Sequence, residues 1–398
     1  MNNISFSLLF ISTLLLFASC EKKDDDVSIF ASEKSGEQYV SENNSFGLNV
    51  FKKFNSLSTD DNKLISPFNI SMAMGMTYNG ADNNTAKQIK KVLGWENLST
   101  DVINRYNKEL LLNFDKNSKE IQLGIQNVIW YSDKIDVKEA FLQKNKSVYR
   151  AKACKVNFSD KSAIERINKH NKDIVNDISP KDMMYIINST YFHGKWKHRF
   201  NVKNTSIAEF FTSDNEKRNV EMMYQKADFN YYKSDTFQFV EMPYENENYA
   251  MFIMLPDSNN DINDIISELD YSTWNEYKNN LKMKRNINFG LPKFKFQQQA
   301  SLIKLLSSMG IENLFIPEKS DLSNISDKKI SINQMRHNAT IEVDERGTKA
   351  SAASLLASTF TALVDDNPFN LFVNRPFFFT IEEKSSNTIL FIGKIEKP

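Results

Sequence analysis

Residues 342–363 constrain this chain more than any other stretch. They begin at the end of a strand-like run, Ala339–Val343, and pass a charged turn, Asp344-Glu345-Arg346-Gly347. A run of small side chains follows, Thr348 to Ala353, in which Lys349 is the one charge. Ala, Ser and Thr bring little area to bury, so such a run makes a poor permanent strand. It also lacks the residues from which turns are built. It is suited to sliding backbone-first into a narrow gap between two existing strands, where bulk would clash. No proline occurs from Glu342 to Asn367, so every residue there keeps an N–H for a β ladder. With strand alternation, Thr348, Ala350, Ala352, Ser354 and Leu356 face inward, while Lys349, Ser351 and Ala353 face out.

A segment of this kind requires a sheet, and the rest of the chain supplies the pieces. Its 398 residues are 41% hydrophobic, enough for one large domain or two ordinary ones. No internal repeat or second linker divides it. The first half reads as helical. Phe46–Phe54, Asn69–Asn79, Asn84–Leu93, Val102–Phe114, Val137–Asn145 and Lys161–Val175 carry helical spacing, and Ser66-Pro67 forms an N-cap followed by proline at the first helical position. Leu123–Tyr131 and Tyr185–Phe192 read as strands. The second half turns to β at Phe237–Pro243, Tyr249–Leu255, Asn286–Phe296, Ile330–Glu342, and a C-terminal hairpin of Phe377–Ile381 with Thr388–Ile395. Ala300–Met309 is a further helix. Helices first and strands later make an α+β class.

Charge and cysteine usage narrow the partners. Fifty Lys and Arg balance fifty Asp and Glu, which argues against nucleic acid or a heparin-type polyanion. The basic cluster Lys87–Lys91 reads as a solvated helix face. Of the two cysteines, Cys20 follows an apolar run from Ser5 to Phe17 that is too short to span a bilayer and is of signal-peptide type. Ala18-Ser19-Cys20 resembles a bacterial lipobox, with Cys20 as the lipidated residue, although no Lys or Arg precedes the apolar run. The alternative is a secretory peptide whose cysteine is incidental. The expected organisation is a lipoprotein signal peptide over 1–19, a flexible acidic tether over 20–43 and one globular domain over 44–398. The expected location is the outer membrane, facing outward, with secretion or the periplasm as the alternative. Cys154 then stays unpaired and reads as a small buried apolar residue.

No motif for chemistry stands out. The chain has no phosphate-binding glycine loop, HExxH, GxSxG or CxxC. His193 and His198 lie near Trp196, but no carboxylate or cysteine completes a metal site there. His170 and His337 have no sequence-linked nucleophile. Neither a metal, a cofactor nor an enzymatic activity is expected.

Several blocks, in order from Ser45 to Pro398, resemble the serpin (serine protease inhibitor) family. Ser66-Pro67-Phe68-Asn69-Ile70-Ser71, followed by Asn79-Gly80-Ala81 and Asn84-Thr85, is similar to the family's SPxSI…GAxxxT block. Asn188 to Trp196, ending in Phe200, resembles NAxYFKGxWxxxF. Val220–Met223, Glu241–Tyr244, Met251–Pro256, Leu291–Phe294, Asp321–Ser323, His337–Gly347, Arg375–Phe377 and Phe391–Gly393 match further blocks. The resemblance implies the serpin fold: a helical N-terminal half packed on a large central β-sheet, with smaller sheets and an exposed reactive-centre loop. It implies a monomer whose partner is a target protease. The protease attacks the loop, forms an acyl-enzyme and is trapped when the cut loop inserts into the central sheet as a new strand. A non-inhibitory serpin-fold binding or scaffold protein is the alternative. The absence of Pro, charge or bulk at the inward hinge positions favours the inhibitor.

The resemblance also assigns residues. Glu345, Gly347, Thr348, Ala350, Ala352 and Ser354 form the hinge. Ser66, Asn69, Asn188 and His337 form the shutter beneath the sheet, with Asn69 in place of the family's usual Ser. Trp196, Lys293 and Glu345 stand where the loop enters. The reactive bond falls at Thr361–Ala362, with Phe360 and Leu363 as alternatives. No Lys or Arg occurs between Lys349 and Arg375, which disfavours a trypsin-like target. Thr361 suits elastase-like or subtilisin-like enzymes. Phe360 suits chymotrypsin-like enzymes, or papain-like cysteine proteases if it sits one residue before the cleaved position. The chain between Ile167 and Met184 is several residues shorter than the family pattern, which implies a trimmed helix across the sheet and either easier or slower insertion.

Overall fold

A computed structural model describes residues 34–116, 121–169, 173–214, 216–348 and 369–398. The chain enters it on α1 (Lys34–Leu57), whose Tyr39, Val40, Phe46, Val50 and Phe51 are buried. Residues 34–43, assigned above to the tether, are therefore helical and packed. The correction has a simple cause: Tyr39 and Val40 sit one helical turn or two before Phe46, and extend the same buried face. After β1 (Lys63–Ile65), Ser66 caps α2 (Pro67–Tyr78), accepting from the Asn69 N–H with Pro67 in the first turn. Every residue of α2 from Pro67 to Thr77 is buried, so it is a core helix rather than one with a single methionine face. Next come α3 (Asn83–Leu93), stopped by Gly94 at φ 71°, and α4 (Thr100–Lys116).

The chain then builds half of a six-stranded sheet. β2 (Ile121–Ser132) leads through α5 (Glu139–Tyr149) to β3 (Lys152–Val156), then through α6 (Ser162–Asn168) to β4 (Met184–Lys195). A nine-stranded sheet follows with β5 (Ser206–Phe211), β6 (Lys217–Lys233), β7 (Phe237–Pro243) and β8 (Tyr249–Pro256). After α7 (Ile262–Glu268) and α8 (Tyr271–Asn279), β9 (Lys282–Pro292) closes that sheet's far side. β10 (Phe294–Ser301) follows after one residue, Lys293, but belongs to the six-stranded sheet. The run 286–296, read as one strand, is thus two strands in two sheets, divided where Pro292 removes a ladder donor.

The remaining elements are α9 (Leu302–Ser308), β11 (Gln334–Asp344), β12 (Gly347–Thr348), β13 (Asn370–Phe372), β14 (Phe377–Glu383) and β15 (Thr388–Ile395). The six-stranded sheet runs β10-β11-β12-β4-β2-β3, with β11 also paired directly to β4. The nine-stranded sheet runs β1-β15-β14-β8-β7-β6-β9-β13, with β5 on β6.

Two apolar clusters flank the six-stranded sheet. On one face Ile129, Ile186, Met335 and Ala339 join the main core with the helical half and the second sheet. On the other, Val128, Trp130, Tyr185 and Ile187 join Ala163 and Ile167 of α6 in a small separate cluster. The helix expected over Lys161–Val175 ends at Asn168. Asn168 instead bonds Val175 in both directions, donating Nδ2–H to its carbonyl at 2.7 Å and accepting its N–H at 3.0 Å. A side chain that clamps a segment seven residues on competes with the helix. Cys154 is half-exposed rather than buried.

Candidate functional site

The seam between β4 and β11 is the place to look for the gap that residues 348–363 would fill. The two strands run parallel and pair from Gln334↔Tyr185 to Thr340↔Tyr191. Beyond Thr340 they separate, and β12 lies between them. Gly347 and Thr348 pair antiparallel with Asp344 and Val343 on one side, and with Lys195 and Gly194 on the other. The segment that follows β11 has therefore already entered the sheet by two residues. Thr348 is fully buried. Residues 349–368 lie outside the described residues, so Ala350, Ala352, Ser354, Phe360, Thr361, Ala362 and Leu363 are not placed. The same holds for Cys20 and His170.

Close approach explains the glycine. A Cβ on Gly347, at φ 154°, would stand 2.0 Å from the Gly194 carbonyl oxygen and 2.6 Å from the Lys195 Cα. Both neighbours are backbone and cannot swing aside, so no side chain fits this wedge.

Around the wedge every group has a partner. The Thr348 hydroxyl is 2.8 Å from the Tyr244 hydroxyl, and burial pushes that phenol's pKa well up. The Tyr244 ring stacks on Trp196 with centroids 4.7 Å apart. Trp196 donates its ring N–H to the Asp344 carbonyl at 3.0 Å and its backbone N–H to the Arg346 carbonyl at 2.9 Å. The Phe200 N–H donates to the Glu345 carbonyl. Glu345 accepts from the Thr205 hydroxyl at 2.7 Å and sits 3.5 Å from the Lys293 ammonium, which also donates to Glu221 at 3.2 Å. Burial works against the Glu345 charge, but Thr205 and Lys293 outweigh it and hold the carboxyl below its ordinary pKa. The structure thus brings Trp196, Lys293, Glu345, Gly347 and Thr348 together. It adds Tyr244, Thr205 and Glu221, which the sequence did not single out for this place.

Lower on the seam, Asn188 and His337 face each other across the parallel ladder. Both are fully buried, as is Asn69, and Ser66 is nearly so. The Ser66 N–H donates to His337 Nε2 at 3.0 Å, and the Asn69 N–H to the Ser66 hydroxyl at 3.3 Å. Asn188 donates to Asn127 Oδ1 at 2.5 Å, and Asn127 donates to the Tyr149 carbonyl at 2.9 Å. The four predicted residues thus form one buried polar layer, joined by Asn127. Acceptance at Nε2 fixes the neutral His337 with its proton on Nδ1, and burial lowers its pKa to about 3. Among the described residues several atoms of this layer have no partner: both amide atoms of Asn69, Asn188 Oδ1 and His337 Nδ1. The segment after α6 crosses in front of the seam, where Gln334 donates to the Asp177 carbonyl at 2.9 Å.

The other histidines do not meet in a cluster. His193 lies 3.3 Å from Gln122 Oε1, and His198 meets the Phe229 ring edge-on at 6.3 Å.

Comparison with known proteins agrees with this architecture. The family model for Serpin (serine protease inhibitor) matches residues 41–398. An uncharacterized serpin-like protein of Methanosarcina acetivorans is 29% identical and aligns with 100% of this chain and 99% of its own length. The leukocyte elastase inhibitor of Homo sapiens is 30% identical over 91% of this chain and 100% of its own. Among solved structures, the thermophilic serpin Tengpin in the native state superposes with TM-score 0.83 at 30% identity, over 91% of this chain and 95% of its own. Human thyroxine-binding globulin complexed with its hormone reaches the same TM-score at 24% identity, over 90% and 98%. At that identity it shows the fold alone. The α+β architecture, the ordered sequence blocks and these matches converge: the chain belongs to the serpin family.

Proposed function

We propose that this protein is an inhibitory serpin that traps proteases as covalent acyl complexes. The observation that carries the reading is β12, which already lies between β11 and β4 and is antiparallel to both. Extending it downward turns one parallel pairing into two antiparallel ladders. Antiparallel pairing is slightly the more stable per residue, and an added strand brings about ten or more ladder hydrogen bonds at about 1 kcal/mol net each. The direct β4–β11 bonds are lost in exchange, so insertion is downhill. Small inward side chains at Thr348, Ala350, Ala352 and Ser354 let it proceed without steric cost.

The target's nucleophile attacks the carbonyl of Thr361, with Phe360 and Leu363 as neighbouring alternatives. An ester or thioester forms to the protease, the 361–362 peptide bond breaks, and the amine of Ala362 leaves with the proton relayed by the protease's own base. Insertion then carries the attached protease along before water can hydrolyse the acyl bond. The shutter residues Ser66, Asn69, Asn188 and His337 must part as the strand passes. The seven-residue α6, held by its own small apolar cluster, presents little to displace. A Thr361 site suits elastase-like and subtilisin-like proteases, in keeping with the name of the human relative. Phe360 extends the range to chymotrypsin-like and papain-like enzymes. Lipidation at Cys20, with a tether running to the start of α1, would hold the domain at an outer-membrane surface.

Incubation with elastase-, chymotrypsin-, subtilisin-, trypsin- and papain-like proteases tests the proposal. The expected result is a complex that survives boiling in detergent with one of the first three or with the papain-like enzyme, and none with the trypsin-like one. Loop cleavage without complex across the whole panel would sink the inhibitory reading in favour of a non-inhibitory scaffold.

A further inference from the structure

Between α6 and the β2–β3 edge lies a cleft of about 440 Å³. Strand register sets its floor. Val128 pairs with Lys152 and Trp130 with Cys154, and alternation turns these side chains to one face. Val128 and Trp130 belong to the apolar cluster beneath α6. The rim is cationic: Lys152 comes from β3, Arg166 from α6, and Lys169 from just beyond it, while Lys155 borders the cleft on the edge strand with its side chain turned by alternation to the other face. Lys152, Arg166 and Lys169 are exposed, and among the described residues none is in an ion pair and no carboxylate lines the cleft. Asp160, the acid that feels Arg166, is occupied by the N–H and hydroxyl of Ser162 at 2.9 and 2.6 Å. In a chain whose charges cancel, three like charges around one apolar floor are a local concentration.

We propose that this cleft binds a small organic anion with a flat apolar body, its ring against Val128 and Trp130 and its carboxylate or sulfonate among Lys152, Arg166 and Lys169. A cleft lined by one sign of charge with low-dielectric walls concentrates its field, and its volume lies in the range that a small ligand fills. A neutral ring covers the floor but leaves the cations unpaired. An inorganic anion pairs the cations but leaves the floor wet. The site does not depend on loop insertion or on protease trapping.

Cys154 makes the site measurable, because its half-exposed thiol lies within the cleft. The probe is naphthalene-2-sulfonate added to the full chain. Calorimetry reads binding, and peptide mapping after iodoacetamide treatment reads Cys154 separately from Cys20. The expected result is saturable binding that slows Cys154 alkylation at least about fivefold and weakens as ionic strength rises. Uncharged 2-naphthalenemethanol and inorganic phosphate should each bind at least about tenfold more weakly. Lys152→Glu with Arg166→Glu should lower sulfonate affinity at least about tenfold while leaving the melting temperature unchanged. If that pair fails to fold, Lys152→Gln with Arg166→Gln carries the same expectation. The proposal is overturned by absence of saturable binding, by equal binding of the neutral alcohol or of phosphate, or by a folded double variant that binds as the parent does.

Discussion

The β4–β11 seam is built in opposite ways at its two levels. At the upper level Gly347 and Thr348 hold the strands apart, and Tyr244, Trp196 and Thr205 occupy the surrounding hydrogen-bonding groups. At the level of Asn188 and His337 the strands still touch, yet the polar layer beneath leaves four side-chain atoms without a partner among the described residues. The upper level is open and satisfied; the lower one is closed and under-satisfied. An unpaired buried polar group costs about 1–3 kcal/mol, so the closed level carries a cost that the open one does not. The seam is thus held at its mouth and weakly defended below, as the proposed opening from one end would require.

The largest expected effect comes from Thr348→Arg. An unpaired guanidinium cannot be buried where Thr348 sits, so the wedge is expelled and further entry blocked. The yield of detergent-stable complex should fall at least about tenfold while loop cleavage persists; full retention of inhibition would refute insertion through this mouth. The lower level should respond to acid. Unfolded histidine takes a proton near pH 6.5, whereas buried His337 resists until about 3. Stability is then lost as pH falls below about 6.5, by up to about 1.4 kcal/mol per unit. Urea titrations at pH 7, 5.5 and 4.5 should show that slope, and His337→Gln should flatten it. Tyr244→Phe removes one satisfied bond at the mouth and should cost about 1 kcal/mol in urea unfolding. The smallest loss belongs to Asn69→Leu. It exchanges two unpartnered atoms for apolar ones of similar volume and should cause no loss of stability, and a gain of up to about 1–3 kcal/mol, in urea unfolding. A loss from Asn69→Leu larger than that from Tyr244→Phe would reverse the comparison.

Local signals in the chain were readable where the structure is local. The Ser66-Pro67 cap, the Gly94 stop and the C-terminal hairpin stand as the residues implied. The ordered blocks carried the fold because each marks a position that only the whole architecture explains. Features decided by distant contacts were not readable. Tyr244 meets Thr348 across 104 residues, and Trp196 meets Asp344 across 148. No spacing rule connects them. β12 was hidden because its two residues look like the end of a turn, and only the flanking strands make them a strand. The early end of α6 was hidden because Ile167, Ile174 and Val175 keep a helical interval, while the Asn168 clamp that breaks it is a side-chain bond. The tether was overestimated because polar residues between Lys34 and Asn43 outnumber the Tyr39 and Val40 that bury it.

The seam also has an order of assembly written into the chain. β4 and β11 both precede residues 349–363 in sequence, so a growing polypeptide emerges with the closed pairing available before its replacement exists. The lead is about 20 residues, on the order of 1–4 s of synthesis. β13, which ties down the far end of the segment on β9, is made next. On the inhibitory reading proposed above, the protein acquires its less stable arrangement by being made in that direction, with β12 and β13 flanking the segment that would replace it.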